Sequence, residues 1–320
     1  MRTLVVGAGA IGGFFGARLL QAECDVTFLV RPARAEALAA TGLVVRSAAG
    51  DVEIGAPPTV TADRLSEPYD LILVSCKAYD LDDAIDAFAP AAGPQTAILP
   101  LLNGMRHIDV LRERFGTQRV LGGQCIVSTT LDPKGQILHL SPFAELTFGE
   151  LDGTLSERVE AIVAQFAPAA FEARASTKIV HEMWEKWVFI ATLAGITCLM
   201  RAPVGDIVAA DGAGLVAKLL DECALIATRA GYRPSGEGLE RALATFTAPG
   251  STLMASMTRD IERGAPIEGE HIVGDLVVRA EALRANAPLL HAVATHLRAY
   301  EARRAREGSQ RKNERNAAYV

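Results

Sequence analysis

Hydrophobic residues recur along this chain with two different rhythms, and the change from one to the other divides it in two. Up to about residue 155, short apolar runs bounded by turn residues predict buried strands at 2–6, 25–30, 70–75 and 96–102. Segments with helical spacing at 10–22, 33–40 and 80–88 lie between them, and β-rich stretches cover 43–60 and 119–149. Turn signals at Asp132-Pro133 and Lys134-Gly135 interrupt the second stretch. Strand alternating with helix predicts a parallel sheet joined by right-handed crossovers.

The later part is almost wholly helical. Helices are predicted at 156–166, 178–199, 213–230, 236–246 and 270–306, the last interrupted at Pro288, with Gly231 and Gly308 as helix stops. The expected architecture is α/β: a doubly wound parallel-sheet domain over 1–175, an all-helical substrate and catalytic domain over 176–305, and a charged C-terminal tail over 306–320. A cleft between the two domains is the expected place for a substrate.

Composition narrows the class. The chain has 320 residues, which suits two domains; half are hydrophobic and 22% are charged, enough apolar material for large cores. A net charge of −6 without a concentrated basic face argues against nucleic-acid binding, and the basic run from Arg303 to Arg315 reads as a solvated helix end or tail. The longest apolar stretch, Val188 to Met200, is flanked by Lys186 and Arg201. It falls short of the roughly 20 residues of a membrane helix and reads as a buried core helix, so no membrane partner is expected. A strand begins directly after Met1-Arg2, so no signal peptide is expected and the predicted location is cytoplasmic. Five widely spaced cysteines without a CxxC pair suit reduced thiols and no metal site.

Gly7-Ala8-Gly9-Ala10-Ile11-Gly12 follows a predicted buried strand and opens a helix, the context in which GxGxxG binds a dinucleotide in a Rossmann domain. Gly7 serves the tight turn, Gly9 admits the pyrophosphate, and Gly12 allows close helix–strand packing. The pyrophosphate then meets the free N–H groups of the helix N-terminus. At the end of the second strand an NAD enzyme carries an acid for the ribose 2′-hydroxyl. This chain carries Arg31 and Arg34 there instead, which favours NADP(H), because a guanidinium pairs well with a 2′-phosphate.

The order of further motifs resembles the ketopantoate reductase (2-dehydropantoate 2-reductase) family over nearly the whole chain, to about residue 300. The resemblance rests on the glycine loop with Gly13, Arg31, Cys76-Lys77-Ala78, Leu102-Asn103-Gly104-Met105, Trp184-Glu185-Lys186-Trp187, Ser256-Met257 and Glu268. It implies a helical domain like that of 6-phosphogluconate dehydrogenase and NADPH-dependent reduction of a small-molecule 2-oxo acid, as in the reduction of ketopantoate to pantoate in pantothenate biosynthesis. A homodimer is compatible with it, since the long helices have apolar faces to spare.

Hydride addition to a ketone builds negative charge on oxygen, and a group must supply a proton. The resemblance assigns that role to Lys186, placed among Trp184, Trp187, Val188 and Phe189, where burial is expected to lower its pKa. By resemblance Glu268 orients the reacting group, Ser256 binds the substrate carboxylate, Lys77 reaches the cofactor and substrate, and Asn103 serves the nicotinamide side and the catalytic lysine.

The pattern breaks at two positions. The family carries asparagines four and eight residues after the lysine; here they are Ile190 and Ala194. The substrate wall is therefore apolar where the family hydrogen-bonds, which points to a more apolar 2-oxo acid. Two other readings share the cofactor domain. A non-catalytic NADP(H) sensor has no need of Lys186, and an opine or 3-hydroxy-acid dehydrogenase would show a His–acid pair that this chain lacks.

Overall fold

A computed structural model describes residues 1–317, with side chains to Gln310. The chain divides into two compact units: residues 1–102 with 106–183, and residues 103–105 with those from 184 onward.

The first unit opens with β1 (Thr3–Val6), α1 (Ala10–Gln21), β2 (Val26–Leu29) and α2 (Pro32–Thr41), followed by β3 (Leu43–Ser47), β4 (Val52–Ile54) and β5 (Thr59–Val60). Next come β6 (Leu71–Val74), α3 (Leu81–Phe88), β7 (Ala97–Pro100) and α4 (Arg106–Phe115). It ends with β8 (Leu121–Ile126), β9 (Thr129–Leu131), β10 (Ile137–His139), β11 (Glu145–Glu150), α5 (Glu157–Phe166) and β12 (Glu172–Ala175).

β1, β2, β6 and β7 bury every residue but Thr27, as near-continuous apolar runs in a parallel sheet should. The sheet runs β5-β2-β1-β6-β7, all parallel, with Val5 opposite Phe28 on one side and Leu73 on the other. The strand order reverses at β1, so the loops after β1 and β6 leave on either side of a topological switch point, where α/β sheets hold their ligands. A second sheet, β4-β3-β10-β9, packs on α1, and a third, β12-β11-β8, closes the unit. Phe14, Phe15, Phe28, Phe148 and Phe166 fill the core. α4 goes beyond the predicted elements: it is charged along its length and buries only His107, Ile108 and Leu111.

The second unit is helical. After α6 (Ile179–Met200), inside which the division falls, come α7 (Val204–Ala209), α8 (Ala213–Arg229), α9 (Gly236–Phe246) and α10 (Ser256–Glu262). A π-helical turn at Glu270–Gly274 runs into α11 (Asp275–Ala282), and α12 spans Pro288–Ala317.

Three expectations are corrected here. The helix predicted over 270–306 with an interruption at Pro288 begins as a π turn, and its break falls just before that proline, at residues 283–287. Gly308 does not stop the last helix, which continues through it to Ala317. A glycine in an exposed helix costs only about 1 kcal/mol, and good helix formers surround this one. α6 matches the helix predicted over 178–199, but the expectation of a segment too short for a bilayer is corrected. Its 22 residues are enough by length and composition to cross one, and 67% of its most apolar window is buried inside the protein.

Candidate active site

On the nucleotide side, backbone geometry does most of the work. Gly7 has φ +93°, a conformation that glycine enters without strain. A Cβ on Gly12 would stand 2.1 Å from Ser75 Oγ and 2.3 Å from the Gly7 carbonyl oxygen, so α1 packs against the β1 and β6 loops only because Gly12 has no side chain. A Cβ on Gly9, by contrast, would meet nothing within 4 Å. Gly9 caps α1, whose first turn holds no acidic residue and no side-chain cap. The amides of Ala10, Ile11 and Gly12 thus head a helix open to an anion, which fits a pyrophosphate.

The two arginines have separate tasks. Arg34 is half-buried, and its Nε and Nη2 both donate to the Ala8 carbonyl, at 3.2 and 3.0 Å, bracing the glycine loop from below. Arg31, the cap of α2, is exposed, and its Nη2 donates to Asp80 Oδ1 at 2.8 Å. The Asp80 hydrogen bond and charge hold the Arg31 guanidinium above its usual range. Lys77 is exposed at the head of the turn Ala78–Asp80, directly after β6.

Within the second unit, Lys186, Ile190 and Ala194 share one face of α6 at helical spacing. Lys186 and Ile190 are half-buried and Ala194 is buried. This corrects the expected burial of Lys186: Trp184, Trp187 and Val188 occupy the buried positions around it. Trp187 Nε1 donates to the Ile272 carbonyl at 2.8 Å, inside the π turn. The backbone amides of His271 and Ile272 in turn bond the Glu268 carbonyl, at 3.1 and 3.0 Å. Gly104, with φ +83°, packs on the same turn, its missing Cβ 2.9 Å from the His271 carbonyl oxygen. Gly104, Trp187 and the Glu268 main chain are therefore all tied to one irregular turn, a kind of distortion frequent at functional sites.

Glu268 and Glu270 are separated by their partners. Glu270 is exposed and bound by Arg298 through Nε at 2.6 Å and Nη2 at 3.0 Å, while Glu268 is half-buried. Ser256 is exposed as the first residue of α10, with Ala255 as the cap. A buried cluster fixes that end of the helix: Thr197 and Thr258 hydroxyls lie 2.7 Å apart, and the Ala255 amide donates to Thr197 Oγ1 at 3.4 Å. Burial pushes the adjacent Cys198 thiol up to about 11, so it stays protonated and inert.

Residues 3–153 match the family described as "Ketopantoate reductase PanE/ApbA", and residues 178–301 match its C-terminal counterpart. The chain belongs to the ketopantoate reductase family. It is similar to an uncharacterized oxidoreductase, YkpB, of Bacillus subtilis, with 37% identity over 94% of this chain and 99% of that one. A 2-dehydropantoate 2-reductase of Archaeoglobus fulgidus is 30% identical over 88% of this chain and 91% of its own length. The crystal structure of 2-dehydropantoate 2-reductase from Geobacter metallireducens superposes with a TM-score of 0.85 at 28% identity, covering 93% of this chain and 99% of that one. The protein is thus an oxidoreductase of this family, whose members use NAD(P)H.

Four contacts beside the candidate residues, two in each unit, escaped the sequence reading: Asp80 on Arg31, Arg34 on Ala8, the Trp187 N–H on Ile272 and His271 against Gly104. Each acts on a partner between 26 and 167 positions away, or through main chain. Only Asp80 left a trace, as an aspartate at a helix start next to Asp82-Asp83.

Proposed function

We propose that the protein reduces the keto group of a 2-oxo acid to the 2-hydroxy acid with NADPH, as ketopantoate reductases do, on a substrate with a more apolar side chain than ketopantoate. When bound, the reduced nicotinamide supplies the hydride. The Gly7–Gly12 loop holds the pyrophosphate through its amides, and Arg31 takes the 2′-phosphate, with Lys77 and Asn103 as further cofactor contacts. Lys186 gives a proton to the carbonyl oxygen as charge develops there, work worth about 10²–10⁴-fold in rate. The Ser256 hydroxyl donates to the substrate carboxylate, and Glu268, held by the π turn, orients the reacting group.

The observation that carries the substrate reading is the face Lys186–Ile190–Ala194. Neither side chain beyond the lysine has a hydrogen-bonding atom. A pocket built to bind a substrate hydroxyl rejects an analogue that lacks it by about 10⁴–10⁵, but a hydrocarbon wall draws no such benefit from the hydroxyl of ketopantoate. Steady-state NADPH oxidation with ketopantoate and a panel of aliphatic and aromatic 2-oxo acids tests this. We expect the largest kcat/KM among the apolar acids. Ketopantoate winning by a wide margin removes the altered specificity, and no turnover with any 2-oxo acid removes the reductase assignment.

A further inference from the structure

We propose that the Arg31–Asp80 pair sets the choice between NADPH and NADH, with Asp80 a specificity-determining residue that lowers the preference for the phosphorylated cofactor and admits the other. The inference rests on the cofactor reading above and deepens it. Dinucleotide sites that select NADH place an acid at the end of the second strand. No acid stands there in this chain, where Leu29-Val30-Arg31 leads into α2. Asp80 nevertheless brings one to the same place from the loop after β6, with Oδ1 2.8 Å from Arg31 Nη2.

The carboxylate gives up a local partner to do so. Asp80 is the cap residue of α3, where an aspartate ordinarily accepts a hydrogen bond from a first-turn amide. Its side chain makes no such cap bond and reaches Arg31, 49 positions away. The second arginine is turned to the glycine loop, its Nε and Nη2 donating to the Ala8 carbonyl. What faces a ribose beside Arg31 is therefore one guanidinium with one carboxylate already on it. A 2′-phosphate must compete with Asp80 for the guanidinium and is repelled by it, whereas a free 2′-hydroxyl can donate to the carboxylate. The pair is solvent-exposed on the arginine side, at 71%, so its own bond is weak and easily exchanged.

Calorimetric titration of the purified protein with NADPH and with NADH tests the proposal in the wild type, Asp80→Asn and Arg31→Ala. Asparagine keeps the volume and the capping ability of aspartate, so the fold should stand, and matching thermal unfolding checks it. We expect Asp80→Asn to raise the NADPH:NADH affinity ratio by about tenfold, from removal of one nearby surface charge. A ratio within about twofold of wild type overturns the inference. Arg31→Ala separates this from failure of the parent reading, since it should lower the same ratio by at least about tenfold. A ratio that moves in Arg31→Ala and stays fixed in Asp80→Asn sinks only the role of Asp80. A ratio fixed in both sinks the 2′-phosphate site as well.

Discussion

The glycine loop of the first unit and the lysine face of the second reach their chemistry by opposite routes. In the loop the proposed contacts are main-chain atoms, and the sequence requirement is the absence of side chains: Gly7 for its dihedral, Gly12 for its contact with the Gly7 carbonyl. On α6 the proposed contacts are side chains, and the helix turn that carries Lys186 is fixed by a residue distant in sequence, through the Trp187 bond to Ile272. A site made of main chain is thus written locally, and a site made of side chains is written across the whole unit. The two should also fail independently.

The largest expected effect tests that independence. Lys186→Ala should lower kcat by at least about a hundredfold while the Kd for NADPH stays within twofold, measured by turnover and titration on one preparation. Parallel losses in both quantities would break the division. Next in size is Gly12→Ala, which forces a methyl against main chain. We expect a loss of about 2 kcal/mol in stability together with weakened cofactor binding, read by denaturant unfolding and titration. An alanine variant that binds normally would show that the loop is more pliable than its contacts indicate. Trp187→Phe should cost about 1–2 kcal/mol, since it removes the buried hydrogen bond to the Ile272 carbonyl, and should lower kcat without changing cofactor Kd.

The smallest effect concerns acid. Burial pushes the Glu150 carboxyl up, but hydrogen bonds from Arg158 and Ser156 outweigh it, and the group lies below its usual range. A lowered folded pKa stabilises above the unfolded value, near 4.3, and that contribution is lost as pH falls through the folded value. Wild type should therefore lose about 0.5–1 kcal/mol more than Glu150→Gln on acidification below about pH 4.5. Equal acid sensitivity of the two in thermal scans would remove the pair from the ledger.

The parallel sheet, its helices and the helical half were legible because their apolar periods are strong: Leu71–Val74 and Ala97–Pro100 are buried end to end. α4 was hidden by its charge, whereas Pro288 marked the break between α11 and α12 to within a few residues. In the candidate site the glycine loop stood out by spacing, and the α6 motif by its resemblance to the family. Asp80 did not, because an aspartate before a helix has an ordinary explanation as a cap, and only coordinates show that it is used otherwise. The exposure of Lys186 was misjudged for a related reason. Apolar neighbours in sequence sit on other faces of a helix, so they do not bury the residue between them.

The two tryptophans of the whole chain, Trp184 and Trp187, flank the lysine on a single helical turn, both almost fully shielded from water. Ultraviolet emission from the protein therefore originates within a few ångströms of one spot. Any tightening or loosening of that turn would register as a change in colour or brightness without an attached dye, so the chain carries its own optical gauge of the helix that bears Lys186.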